Sequence, residues 1–429
     1  MKHLKQSKAG SLLLTVTALF LFQSCSDNNI QDDYSYGSGN SSSSSSNQTI
    51  SAIYSLTTGS TTSISGTTYA ATATDQSAIL VTNGTLTVTN CTVTKSGAAS
   101  DASGSSCYYG LNSAVWAKGN AATITVSGGS IKTTASGANA VFAYKGKITV
   151  STDTITTTGA YSVGLDAAAN GTIVASNTQI TTSGANSPVI ATGTSGGTVK
   201  VTGGTYNATG ESSAVINSTG IISASGITGS SNAEAAVING ENYITLTDSC
   251  VLTSVSTDRG VLFVQSGSVG TSSSTGHFTM TGGSLSTTNS SAPLFEVVTN
   301  STADITLTGV TVSAASGVLM RVDYNTGWKT YGATGNLIIS GSKTVSGNVE
   351  ADATSSATVT VNSGSIWTGA FDKNNTAKSG TVTINGGTWT LTGNSYIDAL
   401  TLTNSAVVNK NGYTLTVTTT NNTSGTINN

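Results

Sequence analysis

Charged residues are scarce in this chain. Only 8% of its 429 residues are Asp, Glu, Lys or Arg, whereas ordinary soluble domains carry roughly 25%. Because Leu, Glu, Lys and Arg are the usual helix formers, their scarcity disfavours long helices. A formal net charge of −3 argues against a strongly basic surface for nucleic acid, so no nucleic-acid partner is expected. A hydrophobic content of 37% is nevertheless too high for a disordered chain.

Proline, histidine and cysteine are rare as well. The chain has 2 prolines, 2 histidines and 4 cysteines. With only His3 and His277 and no CxxC spacing, a structural zinc site is disfavoured, and no metal ligands are predicted. Cys91 and Cys107 form a candidate disulfide in an oxidising compartment.

What fills the chain instead is Thr, Ser, Gly and Asn, with 49 glycines. Thr, together with Val and Ile, favours strands, whereas Gly and Asn favour tight bends. This composition predicts a long all-β structure.

The first 24 residues have the pattern of a bacterial lipoprotein signal peptide. Three lysines precede a short apolar stretch, residues 12–21, which is too short for a permanent membrane span. A small residue, Ser24, stands directly before Cys25, and the segment resembles a lipoprotein signal in this respect. Cys25 is therefore the predicted lipidation site, and the lipid anchor implies attachment to the outer membrane.

A polar, serine-rich tether follows the cysteine. Residues 25–48 contain an acidic stretch and then a run of serines, a composition typical of a flexible linker. The acidic stretch resembles tracts that send such lipoproteins to the cell surface, so exposure there is expected. The remaining residues, 49–429, form the predicted folded domain with its N- and C-terminal caps.

A short motif repeats from about residue 78 onward. It reads apolar-x-apolar, then a Gly- or Asn-rich corner, then another apolar residue, as in 124–131 and 382–389. The second apolar residue of each copy serves as an anchor, at Val88, Val126, Val150, Ala175, Val201, Ile222, Leu246, Met280, Leu307, Ile339, Val361, Ile384 and Leu402. Most spacings lie in the low to mid twenties, which is typical of a solenoid.

The motif also indicates the path of the chain. Apolar residues two apart lie on one face of a strand, whereas the next apolar residue, five further on, requires a bend. The copy anchored at Ile222 is an exception, with Gly220 in place of the first apolar residue. By the same spacing Ile366 is expected inside and Trp367 outside, and Thr344 occupies an inward position. Residues 48–77 and 409–429 are expected to cap the ends.

These features predict a right-handed parallel β-helix of about 13 coils. Repeats such as Thr198–Thr205 and Ala214–Gly220 resemble those of autotransporter-passenger-like adhesins, a class of bacterial surface β-helix proteins. The resemblance covers roughly residues 78–417 and implies adhesion to host or matrix polysaccharide. Pectin-degrading lyases and glycoside hydrolases share the fold, however, and fold does not determine function.

Two sets of residues are candidates for a site. The loop 323–336 holds the densest mixture of aromatic and polar side chains, and Tyr324, Trp328 and Tyr331 are the predicted glycan contacts. The alternative for this loop is that Trp328 packs it onto the rod.

Acidic residues also accumulate in the C-terminal half, where Glu296, Arg321, Glu350 and Asp372 are the candidate catalytic set if they converge in one groove. Stacked carboxylates would also suit Ca²⁺, and a surface salt bridge between Arg321 and Glu296 is the simplest alternative.

Three classes of function remain open from the sequence. The first is a glycan-binding, adhesin-like surface lipoprotein. The second is a polysaccharide lyase or glycoside hydrolase on the same scaffold, and the third is a passive structural surface protein. No cofactor is expected.

Overall fold

In a computed structural model, the chain is a parallel β-helix. The structure describes residues 50–193, 195–265, 274–298, 300–323 and 331–429, so the signal peptide, Cys25 and the whole tether lie outside the described residues. All strand pairings between the named strands are parallel, each joining one coil to the next. The all-β parallel β-helix predicted from the repeat is thus confirmed.

The strands form four sheets, named A to D here. Sheet A has 12 strands: Ser51–Leu56, Gln76–Val81, Val115–Lys118, Val141–Tyr144, Leu165–Ala168, Ile190–Thr192, Ile216–Ser218, Ala236–Asn239, Val261–Val264, Phe295–Val298, Val318–Asp323 and Asn348–Ala351. Sheet B has 15: Thr61–Ser65, Gly84–Thr89, Ala122–Ser127, Lys147–Ser151, Thr172–Ser176, Thr198–Thr202, Ile221–Ser225, Tyr243–Thr247, Ser274–Thr281, Ser301–Thr308, Thr334–Ser340, Ser356–Asn362, Ser379–Asn385, Ser395–Thr403 and Leu415–Asn422.

The third side of the coil belongs to two shorter sheets. Sheet C has 10 strands: Thr68–Ala71, Thr92–Lys95, Ser130–Thr133, Thr154–Thr157, Gln179–Thr182, Thr205–Ala208, Thr228–Ser231, Val251–Ser254, Ser284–Thr287 and Thr311–Ala314. Sheet D continues this side with 5 strands: Thr344–Ser346, Ile366–Thr368, Thr388–Thr390, Val407–Asn409 and Thr426–Asn428.

Coils are numbered here by their strand in sheet B, from coil 1 to coil 15. This is two more than the sequence repeats indicated, because residues 48–77 and 409–429, expected to be caps, contribute coils 1 and 15. At about 4.8 Å per coil the rod is about 70 Å long.

The core is a stack of apolar side chains inside the coil. All thirteen anchors are buried. In the seventh coil, however, Val201 pairs with Ala224 and Val199 pairs with Ile222. The anchor of that copy is therefore Ala224 rather than Ile222, and the apparent exception at Gly220 disappears.

The placement of Trp367 outside the coil is wrong. Trp367 is fully buried and stacks on Trp389 at 4.9 Å between ring centroids, whereas Ile366 is 37% exposed. Val345, Trp367 and Trp389 are in register in sheet D. The corners leading to Val345 and Trp367 contain one more residue than the corner leading to Trp389, so the inward position shifts by one.

The outer face of sheet A is apolar in its N-terminal half, unlike the Thr-rich outer faces of the other sheets. Trp116 and Phe142 lie on this face, and the insertion 96–113 packs on them through Tyr109 and Leu111. The insertion contains a short helix, Ser105–Tyr108. In the described residues no helix is long and apolar enough to span a membrane.

Cys91 and Cys107, the candidate disulfide pair, are not bonded to each other. Cys91 is a free, buried thiol in the core of the coil, whereas Cys107 lies outside the coil in a separate cluster with Tyr108 and Val163. The two cysteines are therefore on opposite sides of the sheet A backbone.

Candidate functional site

A line of alternating charges runs along the side of the rod that sheet A forms, from coil 8 to coil 13, partly on its strands and partly on the turns beside them. Its members, in order along the rod, are Glu234, Arg259, Glu296, Arg321, Glu350 and Lys373. Each occupies the next coil, so acid and base alternate at the coil spacing. This set is called the charge ladder below.

The first half of the charge ladder, Glu234, Arg259 and Glu296, is buried. The Arg259 guanidinium lies 2.8 Å from the Glu296 carboxylate and 3.4 Å from the Glu234 carboxylate, and the side chains of all three are at most 13% exposed. Burial raises the pKa of Glu234 and of Glu296, while the Arg259 guanidinium opposes the rise. Arg259 thus compensates two carboxylates that would otherwise be unpaired in an apolar surrounding.

The second half of the ladder is more open. Arg321 lies 3.6 Å from Glu350, and Lys373 lies 3.8 Å from the same carboxylate. Arg321 is also in strand register with Glu296 and Glu350. The predicted pair between Arg321 and Glu296 is thus a neighbouring pair in the ladder, but the closest contact of Glu296 is with Arg259, which the sequence interpretation omitted.

Next to this half of the ladder is an open cleft of about 380 Å³. Arg321, Glu350 and Asp372 line it, so three of the four candidate catalytic residues meet in one place. Glu296 is not among the lining residues; it lies one coil away, paired with Arg259. Further polar lining comes from Asp323, Asp352, Lys373, Asn374 and Thr376.

Asp372 holds the loop at the end of the cleft. Its carboxylate accepts hydrogen bonds from the Thr376 backbone N–H at 2.9 Å and hydroxyl at 3.0 Å, and from the Ala377 N–H at 2.9 Å. These contacts use both carboxylate oxygens. Asp372 therefore shapes the cleft wall, which leaves it poorly placed to exchange a proton with a ligand.

Asp323 has the properties of a functional carboxyl, although it was absent from the predicted catalytic set. The pKa of Asp323 is raised to about 7, chiefly by burial; the Glu296 and Asp352 carboxylates contribute to this rise, whereas Arg321 and Arg259 oppose it. Perturbed carboxyls in clefts are typical of functional sites. Asp323 and Asp352 each stand two residues after a ladder member, and this spacing places them on the same outer face.

Asp352 is fixed by its own turn. Its Oδ1 accepts hydrogen bonds from the backbone N–H and the hydroxyl of Thr354, both at 2.9 Å. In sheet A, Val322 pairs with Ala351, so Asp323 and Asp352 follow paired positions on adjacent coils. The cleft thus contains two neighbouring carboxyls, Asp323 and Asp352, in addition to Glu350 and Asp372.

An exposed tyrosine, Tyr331, stands directly before Gly332, which packs against Thr354, one residue beyond the cleft lining. Tyr331 is 44% exposed. The backbone beside it is held between coils, because Asn300 N–H donates to the Gly332 carbonyl at 3.0 Å and Ala333 N–H donates to the Ser355 hydroxyl at 3.0 Å. The other two predicted glycan contacts, Tyr324 and Trp328, lie outside the described residues.

A stacked pair of rings, exposed Tyr243 and half-buried His277, lies on sheet B. Tyr243 and His277 stack at 4.6 Å between centroids with 9° between planes, and His277 lies 3.4 Å from Asp304. Because these rings stack between neighbouring coils, the faces turned toward each other are closed to a sugar ring. This row is therefore a weaker candidate than the cleft.

No group of three or more His, Cys, Asp or Glu side chains in the described residues is arranged to hold a metal ion. The cleft is thus a polar groove lined by charge-ladder side chains that pair with one another and by the Asp323 and Asp352 carboxyls. Comparison with known proteins found no matching family model, no similar curated protein and no similar solved structure.

Proposed function

We propose that this chain is a surface-exposed outer-membrane lipoprotein, attached through Cys25, whose β-helix binds a polysaccharide of a host or matrix in the cleft of coils 11–13. The observation that carries the proposal is the open cleft itself, with its fixed polar groups. The exposed Tyr331 is its aromatic candidate, because the adjacent Gly332 packs against Thr354, one residue beyond the cleft lining. Sugar recognition requires this combination, since polar groups fix the hydroxyls and an aromatic ring covers the apolar C–H face.

Glycan binding is tested by applying the soluble domain to a glycan array and then measuring affinity for the best ligand. Tyr331→Ala is expected to weaken binding about tenfold, as the loss of roughly 1.4 kcal/mol would do. Tyr413→Ala is the matched control, because Tyr413 is similarly exposed at 41% but belongs to the last coil and is not among the residues that line the cleft. Absence of any glycan ligand would favour the passive structural role instead.

Glycoside hydrolysis is the second candidate, and the Asp323–Asp352 pair favours it. A glycosidase needs one protonated and one ionised carboxyl flanking the bond. Asp323, with its pKa of about 7, would be the acid and Asp352 the base or nucleophile. Release of reducing sugar from a polysaccharide panel, abolished in Asp323→Asn, would establish this activity; binding without release would leave the protein a binder.

A lyase is less well supported than a hydrolase. Lyases acting on uronates need free cations to neutralise the substrate carboxylate, but Arg321 and Lys373 both face Glu350. Unsaturated products from a uronate polymer would overturn this inference.

The anchor is tested separately. Cys25→Ala is expected to move the protein from the membrane fraction to the soluble fraction, and unchanged membrane attachment would contradict the lipoprotein assignment.

A further inference from the structure

Two lysines meet at the corner between sheets A and B, on coils 3 and 4. Lys118 ends its strand of sheet A, Lys145 directly follows the next strand of that sheet, and a backbone bridge joins the two residues. Each ammonium group lies over an aromatic ring: Lys118 Nζ is 5.7 Å from the Trp116 centroid, and Lys145 Nζ is 5.6 Å from the Tyr144 centroid. These four residues are called the lysine corner below.

No carboxylate in the described part of the chain neutralises the lysine corner. Neither lysine forms a salt bridge there, and Lys145 is exposed whereas Lys118 is half-buried. The pKa of Lys118 is lowered, chiefly by burial and in addition by the Lys145 ammonium group. The corner thus holds two like charges that repel each other, and a bound anion would relieve this repulsion.

The surroundings of the lysine corner are also positive. Between residues 102 and 210 the charged side chains are five lysines and two aspartates, Asp153 and Asp166. Both aspartates are buried, and burial raises the pKa of each, so the exposed charges of this segment are cationic. The preceding acids, Asp75 and Asp101, stand before the sheet A strands of coils 2 and 3, whereas the corner lies where such strands end. This part of the rod therefore attracts anions, although the whole chain has a formal net charge of −3.

We propose that the lysine corner binds an anionic group, a sulfate or a carboxylate, of an acidic polysaccharide. Two ammonium groups at one point suit such a group, because lysine binds oxyanions as a compact point charge. The half-buried Tyr144 ring, which packs edge to face with Tyr109 at 6.0 Å between centroids, adds apolar contact for the sugar that carries the charge. A membrane surface fits less well, since no large apolar side chain described between Ile53 and Val174 is exposed, and binding in a lipid interface needs such side chains.

The lysine corner is distinct from the cleft. Lys145 on coil 4 lies seven coils from Arg321 on coil 11, which is about 34 Å along the rod at the coil spacing, and none of the corner residues lines the cleft. The proposal therefore does not require that the cleft bind a glycan. It adds a site selective for charged polymers to whatever the cleft recognises.

Titration calorimetry of the soluble domain with three polymers tests the proposal. Dextran sulfate supplies sulfates, polygalacturonate supplies carboxylates, and uncharged dextran is the control; a charged polymer is expected to bind more tightly than dextran. Lys118→Met with Lys145→Met keeps the side-chain stems on the rings and is expected to weaken that binding about tenfold. Lys132→Met with Lys343→Met removes the same charge from exposed positions on the side of sheets C and D and is expected to weaken it less than about twofold.

Three results would overturn the proposal. The first is equal binding of dextran and the charged polymers, and the second is equal weakening by the two double variants, which would show that net charge rather than the corner controls binding. The third is binding to vesicles of anionic phospholipid, lost in Lys118→Met with Lys145→Met, in place of binding to the charged polymers. Tyr331→Ala, which tests the cleft, is expected to leave the binding of the charged polymer unchanged, so the two sites can fail separately. Circular dichroism of both double variants confirms that any loss of binding occurs in a folded chain.

Discussion

Asp166 gives the sharpest thermodynamic prediction. It lies on the outer face of sheet A, in register with Phe142 and Ala191, and is fully buried. Neither of its carboxyl oxygens has a hydrogen-bond partner among the described residues. Burial alone therefore raises the pKa of Asp166 from 3.8 to about 8, because the charged form loses its hydration without gaining a partner.

The sign of the effect on stability follows from proton linkage. The folded state holds this proton more tightly than the unfolded state, so the stability contributed by protonated Asp166 is full below pH 3.8 and is lost progressively up to about pH 8. At about pH 7 the carboxyl then costs the folded state on the order of 4 kcal/mol, since each pH unit above the unfolded pKa costs about 1.4 kcal/mol. Asp166→Asn removes the titration and keeps the shape.

Chemical denaturation between about pH 4 and pH 8 measures this difference. The Asn variant is expected to have nearly the stability of the parent at the acid end and to exceed it increasingly as the pH rises. Asp248→Asn is the control, because it makes the same substitution at an exposed position. Parallel pH profiles for Asp166→Asn and the parent would refute the reasoning.

Three further predictions concern the ladder, the core and the cleft. Arg259→Met removes the buried cation next to Glu234 and leaves Glu296 with Arg321 as its neighbouring cation. It is expected to lower the free energy of unfolding by about 3–5 kcal/mol in thermal or chemical denaturation, whereas Lys200→Met on the exposed face of sheet B should change it little. Trp367→Ala is expected to lower the free energy of unfolding by about 3–5 kcal/mol, and Ile366→Ala by less than about 0.5 kcal/mol. The reverse order would contradict the sheet D register. The affinity for a neutral glycan is expected to fall as the pH rises through about 7, because the ionised Asp323 carboxylate must lose its hydration beneath the sugar. A titration calorimetry series with Asp323→Asn should show no such fall.

The fold could be predicted because its signal is local and repeated. Each copy carries two apolar residues on one strand face and a corner residue that tolerates the left-handed region, as at Gly128 and Asn177, both of which have positive φ. The predicted inward and anchor positions were wrong where the spacing or size of the apolar residues departs from this repeat. An additional corner residue moved Trp367 inward, and a small anchor, Ala224, was overlooked in favour of its larger neighbour Ile222.

The site could be predicted only in part. The sequence indicated that Glu296, Arg321 and Glu350 follow corresponding strands, and their register confirms this relation. The sequence interpretation did not indicate that Arg259 belongs to the same line, because it precedes its strand and insertions of unequal length separate the coils. The importance of Asp323 depends on burial and on the charges of neighbouring coils, which only the stacked structure defines.

The most direct test of the proposed function is to locate the bound glycan by hydrogen–deuterium exchange, using the best ligand from the array. Binding in the cleft predicts slower exchange in residues 321–323, 350–353 and 372–376, which contain its lining side chains, and no change in the sheet B row around Tyr243 and His277. Protection confined to that row, or to the N-terminal half of the rod, would contradict the assignment of the cleft as the glycan site.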